Sequence, residues 1–333
     1  METKILEVNG ESLALARDII LGGGLVAMPT ETVYGLGADG TNGEAVKKIY
    51  AVKGRPTDNP LIAHVHKDFD LNKLVFIEQS YAEELKKAFM PGPLTMVFYS
   101  RGVVSREATC GGDTLAVRLP SHEGAQAFLR AVDLPVVAPS ANVSKHVSPV
   151  TARHVFDDLN GKIPLILDGG KCSGGIESTV LDVTEKVPRI LRAGLITREM
   201  IASVAGDCVY AEHRPTDKVR SPGVKYGHYM PRVQTARFTA EEREKALAFY
   251  DRAVGEGRRA VLLCEDSLAP ALGERKALLL GKNAEEMAAN LFYELRAAEE
   301  TSDLIVAIEP RGRGGVYEGV MNRLTKAAKK YDG

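Results

Sequence analysis

TLAVRLPSHEGAQAFLRAVDLPVVAP (114–139) decides the fold class. TLAVRL (114–119) and PVVAP (135–139) are short apolar runs closed by proline, as buried strands are, and Gln126 to Val132 between them carries a helical stripe. The same alternation extends outward. LVAMP (25–29), LIAHV (61–65) and TMVFY (95–99) precede it; PLILD (164–168), STVLDV (178–183) and PRILRA (188–193) follow. Leu13, Ala16 and Ile20 form one further apolar helical face, and Ala45, Lys48, Ile49 and Val52 another stripe. Not every connection has the pattern of a crossover helix. The expectation is therefore a twisted α/β sheet of mixed pairing, covered by helices.

From about Gly206 to Arg237 the periodicity fades into a proline-containing stretch, which reads as a linker or a lid. A second α/β pattern follows. A charged amphipathic helix (240–254) leads to AVLLC (260–264) and ALLLG (277–281), then a long helix from Ala284 to Glu299, LIVAIE (304–309), and a last helix ending RLTKAAKK. This is the pattern of a small Rossmann-like doubly wound unit. The expected division is a larger α/β domain over 1–205, a linker and lid over 206–237, and a small C-terminal domain over 238–333.

A chain of 333 residues with 44% apolar and 26% charged residues is neither disordered, nor collagen-like, nor a coiled-coil rod. Lys plus Arg is 43 and Asp plus Glu is 44, so a net charge of −1 argues against wrapping nucleic acid by bulk charge. The absence of tryptophan and 6% aromatics argue against a base-stacking platform. Cys110, Cys172, Cys208 and Cys264 are too dispersed for a zinc site and read as reduced thiols. No apolar run approaches the ~18 residues of a membrane helix. METKILEVNGESL at the start has no signal-like stretch, so the reading is a cytoplasmic protein with no membrane contact.

The chemistry concentrates in three stretches. In AVKGRPTDNPLIAHV (51–65), Lys53 and Arg55 could clamp phosphate oxygens, with Asn59 adding an amide; two cations at a helix C-terminus also need no function. His64 follows on a strand and has a structural reading too. PSANVSKHVSP (139–149) is either a plain turn or a nucleotide loop at the carboxyl end of a strand. GGKCSGGIESTV (169–180) allows close backbone approach but is neither a Walker loop nor a dinucleotide fingerprint. In PTETVYGLG (29–37), Thr30, Thr32 and Tyr34 line a cleft or cap a turn. Arg118 interrupts an apolar strand and needs a partner, either a substrate carboxylate or a structural Asp or Glu. His122, His146, His154 and His213 read as structural, RGRGGV (311–316) as a turn or an anion loop, and Arg323, Lys326, Lys329 and Lys330 as a solvated helix face. No resident metal site is expected. Cations, hydroxyls and amides without an acid–base pair suit a nucleotide-using enzyme.

Taken in order, PTETVYGLG, KGRPTDNPLIAHV (53–65), PGPLT (91–95), LAVRLP (115–120), APSANVS (138–144), GGIESTV (174–180), ILRAG (190–194), SPGVKYGHYMP (221–231) and NRLTKAA (322–328) closely resemble the threonylcarbamoyl-AMP synthases, in the longer form with a YrdC-like catalytic domain. The resemblance implies that ATP, L-threonine and bicarbonate are joined into threonylcarbamoyl-adenylate. Downstream tRNA threonylcarbamoyl-transferase proteins then use it to modify the adenosine beside the anticodon; direct tRNA contact is left open. By motif position it implies a threonine site of Thr32, His64, Arg118, Ala138 and Ser178. The ATP site would comprise Lys53, Arg55, Asn59, Thr114, Ser140, Asn142, Ser148, Arg192, Tyr226 and His228, with Lys53 and Arg55 catalytic. Mg2+ would travel with ATP. Lys225, Tyr226, His228 and Tyr229 would belong to a lid over the cleft. Glu31, Met90, Lys145 and Ala193 depart from the usual residues of these motifs. Three other readings are weighed against this one. An RNA-binding module is disfavoured by the net charge, a carbamoyl-phosphate enzyme by the lack of a CxxC pair, and a purely structural role because it leaves the ordered cation and hydroxyl motifs unexplained.

Overall fold

The computed structural model describes residues 2–211 and 229–331. The larger sheet is built from β1 (Lys4–Glu7), β2 (Val26–Met28), β3 (Gly35–Asp39), β4 (Ile62–His64), β5 (Val75–Phe76), β6 (Leu94–Ser100), β7 (Thr114–Arg118), β8 (Val136–Ala138), β9 (Leu165–Asp168), β10 (Thr179–Asp182), β11 (Arg189–Arg192) and β12 (Val209–Tyr210). Their spatial order is β1-β9-β2-β3-β8-β4-β7-β6-β10-β11-β12, with β5 beside β6. Pairing is mixed, as expected: β4 runs parallel to β7, and β8 runs antiparallel to β4. The smaller sheet is parallel, in the order β15-β14-β16-β13-β17, from β13 (Gln234–Phe238), β14 (Ala260–Cys264), β15 (Ala277–Leu279), β16 (Leu304–Ile308) and β17 (Lys329–Lys330).

Helices α1 (Gly10–Leu21), α2 (Gly43–Lys53), α3 (Ser80–Phe89), α4 (Arg106–Thr109), α5 (Glu123–Val132), α6 (Ala152–Leu159) and α7 (Arg198–Ala205) accompany the larger sheet; α8 (Arg243–Gly255), α9 (Ala269–Leu272), α10 (Ala284–Thr301) and α11 (Val316–Ala327) accompany the smaller. Their ends follow local chemistry. The Asn9 side chain accepts from the backbone N–H of Glu11 and Ser12 at the start of α1, and Asn42 does the same for Glu44 and Ala45 at α2. Gly54 ends α2 at φ 59, the left-handed stop that glycine adopts without strain.

Two packing facts place the site. Ala16 and Ile20 of α1 and Phe128, Leu129 and Val132 of α5 pack on Val26, Met28, Val136, Ala138 and Leu165. Over β4, β7, β6 and β10 a separate apolar patch forms from Ile62, Ala116, Val97 and Val180. Ile62 is paired with both Ala138 and Ala116 in register, and Ala116 with Val97, so these residues share one face. The opposite side belongs to the main core. That core is continuous between the two units: Val147, Val150 and Ile176 pack in one cluster with Met287, Leu291 and Phe292 of α10.

The structure revises several readings. The range 206–237 is not all linker: β12 lies near its start, and β13 near its end is an inner strand between β16 and β17. QTARF alternates, with Ala236 and Phe238 buried, but the prolines before it mask so short a pattern. The final helix stops at Ala327, and Lys329 and Lys330 form an edge strand, where lysines discourage further pairing. Arg323 is not solvated; it is fully buried. Lys326 is partly buried, which pulls its pKa down to about 8. The four thiols are free, as read from the sequence. Among the described residues no helix is long and apolar enough to cross a membrane. Lys225, Tyr226, His228 and His213 lie outside the described residues.

Candidate active site

Where α1 and α5 stop covering the sheet face, a cleft opens, with about 550 Å3 of space counting the open solvent at its mouth. β4 and β7 set its polar wall, because their register places His64 directly beside Arg118. Thr95 of β6 pairs with Arg118 from the other side. Arg55, Ser140, Glu177, Ser178, Arg192 and Tyr229 complete the polar lining; Ile62 and Ala138 supply apolar surface.

Arg118 is 4% exposed. Its Nε reaches the Gly92 carbonyl at 3.4 Å, and its Nη2 lies 2.8 Å from Glu31 Oε1. That contact is a charge pair without hydrogen-bond alignment: Arg118 Nη2 and both Glu31 carboxylate oxygens lack a hydrogen-bond partner. Buried polar atoms are seldom left so. Arg118 thus has a structural glutamate, one of the two partners its position demanded, yet keeps capacity for another carboxylate. His64 Nδ1 is 3.1 Å from the Ile62 carbonyl. Burial, aided by the Arg118 charge, pushes its pKa down to about 3, so the ring is neutral at physiological pH. Ser178 Oγ shares a 2.8 Å hydrogen bond with Thr95 Oγ1. Ala138 also lines the cleft. Thr32 is fully buried and hydrogen-bonds Thr30 at 2.9 Å; Thr30, not Thr32, is on the wall.

The cations divide. Arg55 faces the cleft while holding the Asn59 carbonyl at 3.2 Å, and burial pulls its pKa down to about 10, leaving it charged. Arg192 also lines it, its guanidinium donating to the Ser178 carbonyl at 3.1 and 3.0 Å; burial lowers its pKa. Lys53 does not line the cleft. The residue is 2% exposed, and its ammonium donates to the carbonyls of Ser140 and Asn142, each at 2.5 Å, and to Asn142 Oδ1 at 3.3 Å. Burial, with Arg55 nearby, holds its pKa well below the ordinary lysine value. Lys53 therefore ties the end of α2 to the loop after β8.

Within that loop Ser140 Oγ donates to Asn142 Oδ1 at 2.5 Å, and Asn142 Nδ2 donates to the His146 carbonyl at 2.8 Å. Ser148 is buried and donates to Glu177 Oε1 at 2.5 Å. Asn59 is buried with its Oδ1 unpartnered. Thr114 is at the far end of β7 from Arg118, about 13 Å along the strand. Lys145 adopts φ 72, a left-handed conformation that glycine enters more easily. Tyr34 turns from the cleft and donates to the Gly170 carbonyl at 2.8 Å.

Two lining residues escaped sequence reasoning in whole or part. Glu177 stands inside the GGIESTV motif, where nothing in the sequence marks a carboxylate as part of an anion site. It is held ionised, below its ordinary pKa, because Arg323, Arg192 and Ser148 together outweigh the burial that would raise it. From the sequence Tyr229 reads only as part of a lid. It is 4% exposed at φ 65, which for a bulky residue marks a specific turn delivering the ring to the cleft.

An α/β fold with an arginine-lined cleft, bounded by a hydroxyl- and amide-rich loop, has the geometry and charge that suit a small anionic ligand. Comparisons narrow this. A family model described as telomere recombination matches residues 18–194, and one described as threonylcarbamoyl-AMP synthase, C-terminal domain, matches residues 196–329. The threonylcarbamoyl-AMP synthase of Pyrococcus abyssi is 40% identical over 324 residues, covering 95% of this chain and 94% of the relative. That of Bacillus subtilis is 39% identical over 334 residues, covering 98% and 95%. The crystal structure of P. abyssi Sua5 complexed with L-threonine superposes with a TM-score of 0.88 at 38% identity over 99% of each chain. The chain belongs to the threonylcarbamoyl-AMP synthase family.

Proposed function

We propose that the cleft joins L-threonine, bicarbonate and ATP into threonylcarbamoyl-adenylate, releasing pyrophosphate and water. The observation that carries the reading is Arg118, a buried cation with unmet hydrogen-bond capacity in the same cleft as Arg55 and Arg192. The similar P. abyssi protein is complexed with L-threonine. Here the amino-acid carboxylate would take the Arg118 Nη2 that Glu31 engages poorly. Ser178, Thr95 and neutral His64 would surround the rest of the substrate, behind the small side chain of Ala138.

The threonine ammonium first loses a proton. The free amine adds to the carbon of bicarbonate, water leaves, and a carbamate forms. A carbamate oxygen then attacks the α-phosphorus of ATP, the bond to the bridging oxygen breaks, and pyrophosphate departs. Arg55 and Arg192 neutralise charge developing on the phosphates. Lys53 acts behind them, fixing the Ser140–Asn142 turn against which the nucleotide packs. Ile62, backed by the buried Ala116, Val97 and Val180, offers apolar surface for the adenine. A carbamate is labile in water, so a dry cleft that holds it beside the nucleotide raises its productive fate. Glu177, the carboxylate on the wall, is already held by Arg323 and Ser148, so Mg2+ would enter with ATP on phosphate and water oxygens. The adenylate would pass to tRNA threonylcarbamoyl-transferase proteins, which modify the adenosine beside the anticodon.

The test is pyrophosphate release from the purified chain with ATP, threonine and bicarbonate, each omitted in turn. Release is expected only with all three. Equal release without threonine would reject the reading.

A further inference from the structure

We propose that the smaller unit is a positioning element of the nucleotide loop (140–149), with Arg323 fixing the Ser148 end of that loop through Glu177. The inference rests on the reading of the cleft as an ATP site and extends it to a domain with no part in the proposed chemistry.

Arg323 is 0% exposed and comes from α11, on the far side of the domain boundary. Its Nε donates to Glu177 Oε2 at 3.0 Å, its Nη2 to the Glu177 carbonyl at 3.0 Å, and its Nη1 to the carbonyls of Ala193 and Gly319. The remaining Glu177 oxygen receives Ser148. One arginine thus sets the rotamer of a carboxylate on the cleft wall, and that carboxylate sets the hydroxyl of a loop residue.

A second grip comes from α10. Arg296 Nη2 donates to the Val147 carbonyl at 2.5 Å and to Asp158 Oδ2 at 2.9 Å. Glu299 lies 2.9 Å from His146 Nε2, while His146 Nδ1 meets Asp158 at 3.0 Å. The Asp158 carboxylate also receives the Val143 N–H at 3.2 Å. Because the His146 carbonyl holds Asn142, and Asn142 holds Lys53 and Ser140, this grip reaches the cation end of the loop.

The boundary leaves little room for the unit to move away. A Cβ at Gly175 would fall on the backbone of Ala288 and Ala289, and one at Gly319 would sit 3.2 Å from the Gly194 backbone. Backbone meets backbone there, and the core is shared. A flexibly tethered module would need neither feature.

The test is equilibrium binding of ATP, with KM for ATP and for threonine, on the full chain and on Arg323→Met, Arg323→Lys and the double variant Glu177→Gln/Arg323→Met. Arg323→Met is expected to weaken ATP about tenfold or more and threonine much less, with partial recovery in Arg323→Lys. In the double variant no carboxylate is orphaned. Its thermal midpoint should return toward that of the parent while the ATP defect persists, a separation that a merely structural arginine does not produce. ATP affinity that recovers together with the midpoint, or ATP and threonine constants that move in parallel, would overturn the proposal. If Arg323→Met fails to fold, the double variant alone decides between these outcomes. A parent chain that binds no ATP would instead overturn the proposed function.

Discussion

Two buried arginine–glutamate pairs touch the cleft, and they are built differently. In Arg323–Glu177 every guanidinium nitrogen donates and both carboxylate oxygens accept. In Arg118–Glu31 the charges approach to 2.8 Å, yet Arg118 Nη2 and both glutamate oxygens lack a hydrogen-bond partner. A satisfied pair has its geometry fixed and belongs to the scaffold. An unsatisfied one bears part of its desolvation cost uncompensated, which a ligand can relieve. The contrast separates what holds the cleft together from what it is built to receive.

The largest expected effect strikes the satisfied pair. Arg323→Met leaves Glu177 buried without its cation and should lower the unfolding free energy by about 3–5 kcal/mol in urea titrations. Arg118→Met should act mainly on substrate rather than on stability. It should reduce kcat/KM for threonine by about 2–4 kcal/mol, roughly 30- to 1000-fold, with a smaller loss of stability than Arg323→Met. Equal destabilisation by the two, with threonine kinetics unaltered, would erase the distinction. Arg55→Ala sharpens it from the nucleotide side. It should cost about 1.5–3 kcal/mol in kcat/KM for ATP while sparing threonine affinity.

The smallest effect concerns the α10 grip. Burial opposes a charge on His146, but its hydrogen bonds with Asp158 and Glu299 prevail and raise its pKa above 6.5, despite the nearby cation of Arg296. Arg232, bound to Asp158, also faces this cluster. A raised folded pKa means that the stabilisation is complete below pH 6.5 and is lost as the pH climbs through the folded value. Between about pH 6 and 8 stability should fall by less than about 1.4 kcal/mol per unit, and His146→Gln should flatten that slope. A slope surviving in the variant would assign it to other groups.

Much of this was legible in the chain. Short apolar runs closed by proline and glycine announced the inner strands of the larger sheet. The ordered motifs from PTETVYGLG to NRLTKAA placed Arg55, His64, Arg118, Ser140, Ser178 and Arg192, all of which line one cleft or, for Ser140, its loop edge. What escaped depended on distant contacts. Arg323 reads as one more basic residue on a charged tail, since its partner lies 146 residues away. Lys53 reads as a phosphate clamp, since the carbonyls that occupy its ammonium arrive 87 and 89 residues later. β13 was hidden behind prolines, because its alternation spans only a few residues. Glu177 went unremarked because a carboxylate contradicts an anion site until its arginines are in place.

The most direct measurement is a crystal structure of the chain with L-threonine and a non-hydrolysable ATP analogue bound together. The account requires the threonine carboxylate on Arg118, in place of part of the Glu31 contact, with the phosphates against Arg55 in the same cleft. Threonine bound elsewhere with the Arg118–Glu31 contact unchanged, or phosphates turned away from Arg55, would contradict it.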